Sequence, residues 1–149
     1  MKKRFYIFML AILILPAAAL TAQENAFSFL SFNIGFGYEL PVDGSTYSSV
    51  NSFGVDFRIA GPLIIGFERA DGGVLLNFFK AKFDVMPEVR AVIGYGDNRA
   101  LFGFEVIPFR REVSGLFTEF KLLADYFTGP NFAFDSGIFR LQLAVGIGF

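Results

Sequence analysis

The residues able to do chemistry are few in kind. The 149-residue chain contains no His and no Cys, which removes the commonest general base, the commonest metal ligand, thiol nucleophiles and disulfides. What remains is a set of acids, bases and amides at alternating positions: Asn33, Asp56, Arg58, Glu68, Arg90, Glu105, Glu119, Lys121, Asp125, Arg140 and Gln142. Carboxylates such as Glu105 and Glu119 could divide acid and base roles, but acids and bases intermixed in this way are usually members of ion pairs. The expected pairings are Arg90 with Glu105, and Arg140 with Glu119 or Asp125. Asp43-Gly44, Asp71 and Asp97-Asn98 offer oxygen ligands for Ca²⁺, yet such dipeptides are more often turn formers. No catalytic residue, cofactor or metal is assigned.

These groups must be positioned by strands, because the pattern around them has period two. Leu30, Phe32, Ile34, Phe36, Tyr38 and Leu40 alternate with Ser31, Asn33, Gly35, Gly37 and Glu39, which gives a strand two unlike faces. The same alternation recurs through 53–60, 63–68, 89–96, 101–107, 116–126 and 139–149. A further strand runs through 74–86, where the neighbours Phe78 and Phe79 blur the parity and suggest a β-bulge that switches faces. Eight strands result, and the connections between them fall into two sets. Residues 61–62, 86–88 and 108–114 turn the chain at one end; residues 41–52, 69–73, 96–98 and 128–136 turn it at the other.

Composition places this sheet. The chain is 54% hydrophobic, yet no stretch beyond its first residues offers the roughly 20 consecutive apolar residues of a membrane helix. The first residues read as an export signal: a basic start at Met1-Lys2-Lys3-Arg4, an apolar run over 5–15, and small residues for cleavage after Ala19 or Ala22. Taking Ala22, the expected division is a signal peptide over 1–22 and one β-barrel domain over 23–149. That domain has 10 basic and 14 acidic residues, a net charge of −4, which excludes nucleic acid as a partner because phosphate neutralisation needs clustered cations.

The two faces choose between two barrels. In a soluble ligand-binding barrel the apolar face points inward and charges cover the outside. Here the polar face interleaves its charges with Gly35, Gly37, Gly54, Gly66, Gly94, Gly96, Gly103, Gly146 and Gly148, which suits a narrow lumen where long side chains need small neighbours. The other face is nearly continuous Phe, Leu, Ile, Val and Ala, an area far larger than soluble monomers expose. Lipid is its natural solvent. Tyr38, Tyr95 and Tyr126 then fall on the lipid face at one end, as an interfacial aromatic girdle would require.

Phe139, Leu141, Leu143, Val145, Ile147 and Phe149 lie at alternate positions up to the last residue. This run, FRLQLAVGIGF, resembles the C-terminal assembly signal of bacterial outer-membrane β-barrels. With the export signal and eight strands, the chain resembles the small eight-stranded class typified by OmpX, the OmpA membrane domain and OmpW. That resemblance implies an all-β, antiparallel up-and-down transmembrane barrel in the bacterial outer membrane, with the lipid bilayer and the barrel-assembly machinery as partners. It also implies short turns on the periplasmic side and longer loops outside. Enzymes of that membrane depend on histidine, and none is present. The leading expectation is a non-enzymatic structural or surface-interaction barrel with a lumen filled by paired charges and an unknown surface partner. Two alternatives stay open: a narrow pore or conduit for small solutes or hydrophobic molecules, and a soluble extracytoplasmic ligand-binding barrel.

Overall fold

The computed structural model describes residues 30–149; the export segment expected over 1–22 lies outside them. Eight strands follow in order: β1 (Leu30–Pro41), β2 (Ser48–Ala60), β3 (Leu63–Asp71), β4 (Leu75–Met86), β5 (Val89–Gly96), β6 (Arg99–Val113), β7 (Leu116–Phe127) and β8 (Ile138–Gly148). Each pairs antiparallel with the next, and β8 pairs with β1 from Pro41↔Ile138 to Ser31↔Gly148, so the sheet closes on itself. The seam continues to the last residue, where Leu30 and Phe149 exchange backbone hydrogen bonds of 2.9 and 3.0 Å. Closure leaves no unpaired edge along the wall, which is what a β-structure needs in order to stand in lipid.

Two hairpins are set by local chemistry. Asp97-Asn98 (φ 46° and 60°) and Ser114-Gly115 (φ 53° and 80°) are two-residue turns with both central φ values positive, the geometry that matches the twist of the flanking strands. The end carrying Leu30 and Phe149 has only two-residue connections, at 61–62, 87–88 and 114–115; the opposite end carries loops over 42–47 and 128–137. The ends are called the turn end and the loop end below.

Three expectations about the strands are corrected. Residues 108–113 are not a connection but the continuation of β6. A register shift between Val106 and Phe109 takes up Pro108, which has no N–H for the ladder. The loop expected over 41–52 shrinks to 42–47, because β2 begins at Ser48. The bulge expected at Phe78-Phe79 is absent: the register of β4 against β3 is unbroken from Leu75 to Phe83. The shift comes lower, between Asp84 and Met86, next to Pro87. The parity is blurred only because a large apolar residue, Phe78, points inward.

Side-chain direction follows the pleat. Among the described residues, exposed large apolar side chains face outward around the barrel, among them Phe36, Phe79 and Phe104, which are 61%, 67% and 58% exposed. Inward lie Asp56, Glu68, Arg90, Glu105, Glu119, Lys121, Asp125 and Arg140, all buried. A soluble barrel requires the opposite arrangement, and that alternative is excluded by the direction of the two faces.

Candidate functional site: the lumen

The lumen is built by parity. Inward positions of every strand project toward one axis, and in an eight-stranded barrel the interior is just wide enough for side chains to fill it. Where two bulky polar groups meet, the neighbouring inward position is glycine: a Cβ at Gly66 would collide with Asp56 Oδ1, one at Gly103 with Asp125 Oδ1, and one at Gly146 with Asn33 Oδ1. The glycine-rich polar face is thus a packing requirement.

Within this space the charges form two networks. Toward the loop end, Glu68, Lys80, Asp125 and Arg140 close a four-membered ring of alternating sign. Its distances are 2.7 Å for Lys80–Glu68, 2.6 Å for Glu68–Arg140, 2.8 Å for Arg140–Asp125 and 3.5 Å for Asp125–Lys80. The central carbon of the Arg140 guanidinium lies over the Phe127 ring, 4.4 Å from its centroid. Above it on the β4–β7 side, Leu76, Phe78, Val92, Leu101 and Phe127 form an apolar plug with Ile138 against it.

The second network occupies the middle and the turn end. Lys82 Nζ bridges Asp56 Oδ2 (2.8 Å) and Glu105 Oε1 (2.5 Å). Arg90 reaches Asp84 (2.8 Å), Glu105 (3.4 Å) and Glu119 (3.0 Å). Lys121 joins Glu119 (3.2 Å) to Asp56 (3.5 Å) and donates to Asn33 Oδ1 (2.7 Å), while Asn33 donates to Asp56 (2.9 Å). Arg58 holds Asp84 (2.6 Å) and donates to the Gly61 carbonyl. Gln142 donates to Ser52 Oγ at 3.2 Å. Ile64 and Phe117 meet across the turn end, and the guanidinium of Arg110 lies 4.8 Å from the Phe117 ring while pairing with Glu119 at 3.4 Å. Charges taken from water are tolerated only when paired in this way.

All eleven polar residues singled out in the sequence therefore point into the lumen. Arg90 meets Glu105, and Arg140 meets Asp125. The alternative of Arg140 with Glu119 does not occur: Glu119 sits opposite Gly146, six residues along β8 from Arg140, and is taken by Arg90, Lys121 and Arg110. Sequence reasoning missed Lys80, Lys82 and Asp84, which continue the inward parity of Leu76 and Phe78 along β4. It also missed Glu39, buried near the top of β1, which accepts the Gly73 N–H at 3.3 Å.

The middle of the lumen is tightly filled. The cavity at its centre, lined by residues including Asn33, Asp56, Lys80, Lys82 and Lys121, has a volume of about 10 Å³, the space of one water molecule. A wider vestibule of about 720 Å³ is lined by Pro62, Asp84, Pro87, Arg90 and Arg110 at the turn end, and there the buried Arg90 is held by its three carboxylates.

The acidic loop residues serve turns. Asp43 Oδ1 accepts the Ser45 N–H at 2.9 Å, which holds the Asp43 carboxyl below its ordinary pKa. Asp97 Oδ2 accepts the Asn77 N–H at 2.5 Å. Among the described residues, no three acidic side chains converge as metal ligands would.

At the loop end the outward aromatics gather. Tyr38 meets Tyr47 edge-on at 6.0 Å. Tyr95 stacks on Phe132 at 5.9 Å, and Tyr126 stacks on Phe134 at 6.3 Å and donates to the Phe134 carbonyl at 2.5 Å. The 128–137 loop is thus laid against the rim rather than projecting from it. Phe139, Leu141, Leu143, Val145, Ile147 and Phe149 all face outward and are exposed.

An apolar belt around a closed wall and a lumen of paired charges define an eight-stranded transmembrane β-barrel. No protein-family model matches the chain, and no curated protein matches it. Two solved structures are similar. One is a de novo designed transmembrane β-barrel (14% identity, 85% of this chain and 98% of that one, TM-score 0.49). The other is Neisserial surface protein A, NspA (13% identity, 82% of this chain and 97% of that one, TM-score 0.44).

Proposed function

We propose that the protein is a non-enzymatic barrel of the bacterial outer membrane, with a structural or surface-interaction role and a lumen closed to solutes. The observation that carries this reading is the filled middle of the barrel. Two ion-pair networks and an apolar plug leave about 10 Å³ at its centre, whereas a conduit needs a continuous path wider than a water molecule. In this placement the turn end faces the periplasm and the loops face outside. Tyr38, Tyr95 and Tyr126 stand at the outer interface, and the outward residues of β8 ending in Phe149 are the strand offered to the assembly machinery.

Two measurements test it. Cell fractionation should recover the protein in the outer membrane as a band whose gel mobility changes on boiling. In planar bilayers the purified barrel should show no discrete conductance steps. Steady single-channel steps would favour the conduit, and recovery in the soluble periplasmic fraction would overturn the membrane placement.

A further inference from the structure

The 128–137 loop lies on the outside of the wall. Asn131 donates its N–H to the Asn98 carbonyl at 3.0 Å, and its Oδ1 accepts from Asn98 Nδ2 at 2.6 Å, which ties the loop to the turn between β5 and β6. The short 3₁₀ turn over Pro130–Phe132 packs against β6. Ala100 of β6 sits directly opposite Tyr95 and shares its outward face, yet it is only 3% exposed. The loop therefore covers wall rather than lumen.

Its backbone is strained in order to present aromatic rings. Asn131 and Phe132 have φ of 58° and 65°, a left-handed conformation that a bulky residue keeps only where its surroundings enforce it. The result is a Phe132 ring stacked on Tyr95, with 15° between the planes. Phe134 stacks on Tyr126 at 14° and is fixed by the hydrogen bond from the Tyr126 hydroxyl to its carbonyl. Tyr126 in turn meets Phe139 of β8 at 4.8 Å. The five rings form an arc along the loop end from β5 to β8. Despite these contacts Phe132 and Phe134 remain 43% and 64% exposed. Asp135 and Ser136, which follow them, are exposed as well, so the loop combines apolar rings with a polar stretch as an interfacial segment does.

We propose that the 128–137 loop is a membrane-surface anchor, with Phe132 and Phe134 seated in the acyl–headgroup boundary of the outer leaflet. The inference rests on the membrane placement given above. Aromatic rings concentrate at that boundary, where their apolar bodies leave water while neighbouring polar groups stay wet. The loop thus widens the girdle of Tyr95 and Tyr126 outward from the wall, and the strain at Phe132 serves to lay its ring flat against that girdle.

The chain contains no Trp, so a single introduced indole reports its own position. The full-length barrel carrying Phe132→Trp, Phe134→Trp or Phe104→Trp is folded into phosphatidylcholine vesicles whose acyl chains are brominated either near the headgroup or near the chain end. The boundary such vesicles supply is common to phospholipid and glycolipid leaflets. Gel mobility with and without boiling verifies that each variant is folded. Phe132→Trp and Phe134→Trp should lose most of their emission to bromine near the headgroup, less to bromine near the chain end, and little to aqueous acrylamide. Phe104→Trp, on the lipid face of β6, should be quenched by bromine and not by acrylamide. Acrylamide quenching of either loop indole without bromine quenching, while Phe104→Trp still responds to bromine, would overturn the anchor and leave the membrane placement standing. Loop indoles shielded from both quenchers would overturn it too, because a second copy of the barrel would then cover the rings. Absence of bromine quenching in all three variants would instead refute the membrane placement, and the anchor with it.

Discussion

Lys82→Met removes the central cation of the barrel without removing its bulk. Lys82 is buried and bridges two buried carboxylates, Asp56 at 2.8 Å and Glu105 at 2.5 Å. Breaking a buried pair by deleting one partner usually costs about 3 to 5 kcal/mol, most of it the burden of a stranded charge. Here neither carboxylate is wholly abandoned. Asp56 keeps Lys121 at 3.5 Å and Asn33 at 2.9 Å, and Glu105 keeps Arg90 at 3.4 Å. The expected cost is therefore at the lower end, about 3 kcal/mol. The assay is reversible urea unfolding in lipid vesicles, followed by far-UV circular dichroism and gel mobility because the chain has no Trp. At an m-value of about 1 to 3 kcal/mol/M the midpoint should fall by about 1 to 3 M. Neutralising the stranded partner should restore part of the loss: Lys82→Met with Glu105→Gln should be more stable than Lys82→Met alone by at least about 1 kcal/mol, the coupling typical of contacting residues. A midpoint unchanged by Lys82→Met, or a double variant weaker than the single one, would show that the lumen pairs do not hold the barrel together.

The other predictions address the wall, the packing and the assembly strand. Phe104→Arg puts a charge on an outward position in β6 and should cost about 2 to 4 kcal/mol if that side chain faces the bilayer midplane; unchanged stability in vesicles would contradict the lipid-facing assignment. Gly103→Val should destabilise by about 1 to 3 kcal/mol through overpacking, since a Cβ there meets Asp125 Oδ1 and the Ala124 carbonyl. Unfolding midpoints matching the parent would show that the lumen has slack. Removing Phe149 should slow insertion measured by the appearance of the folded gel band in cells, and insertion at the parental rate would refute the assembly-signal reading of β8.

What could be read from the chain alone is what depends on one strand or one hairpin. Period-two alternation is local, so the inward direction of Asn33, Asp56 and Glu119 and the outward direction of Phe36 and Phe104 were legible. So was Arg90 with Glu105, a pair directly opposite in the β5–β6 hairpin, because the short turn at Asp97-Asn98 sets its register; Arg140 was left between Glu119 and Asp125, because the 128–137 loop does not set the register of β7 against β8. Strand β4 was harder, since Phe78 breaks the rule that lumen residues are polar and thereby concealed Lys80 and Lys82. Other contacts belong to the closed structure. Arg140 of β8 meets Glu68 of β3, Lys80 of β4 meets Asp125 of β7, and Arg90 of β5 meets Glu119 of β7. None of these pairs lies on neighbouring strands. Which long side chains meet across the axis depends on the stagger accumulated around the whole wall, and closure of the seam between β1 and β8 decides that stagger. The sequence determined which face the residues of the regularly alternating strands occupy; only the tertiary structure decided which charges neutralise one another across the lumen.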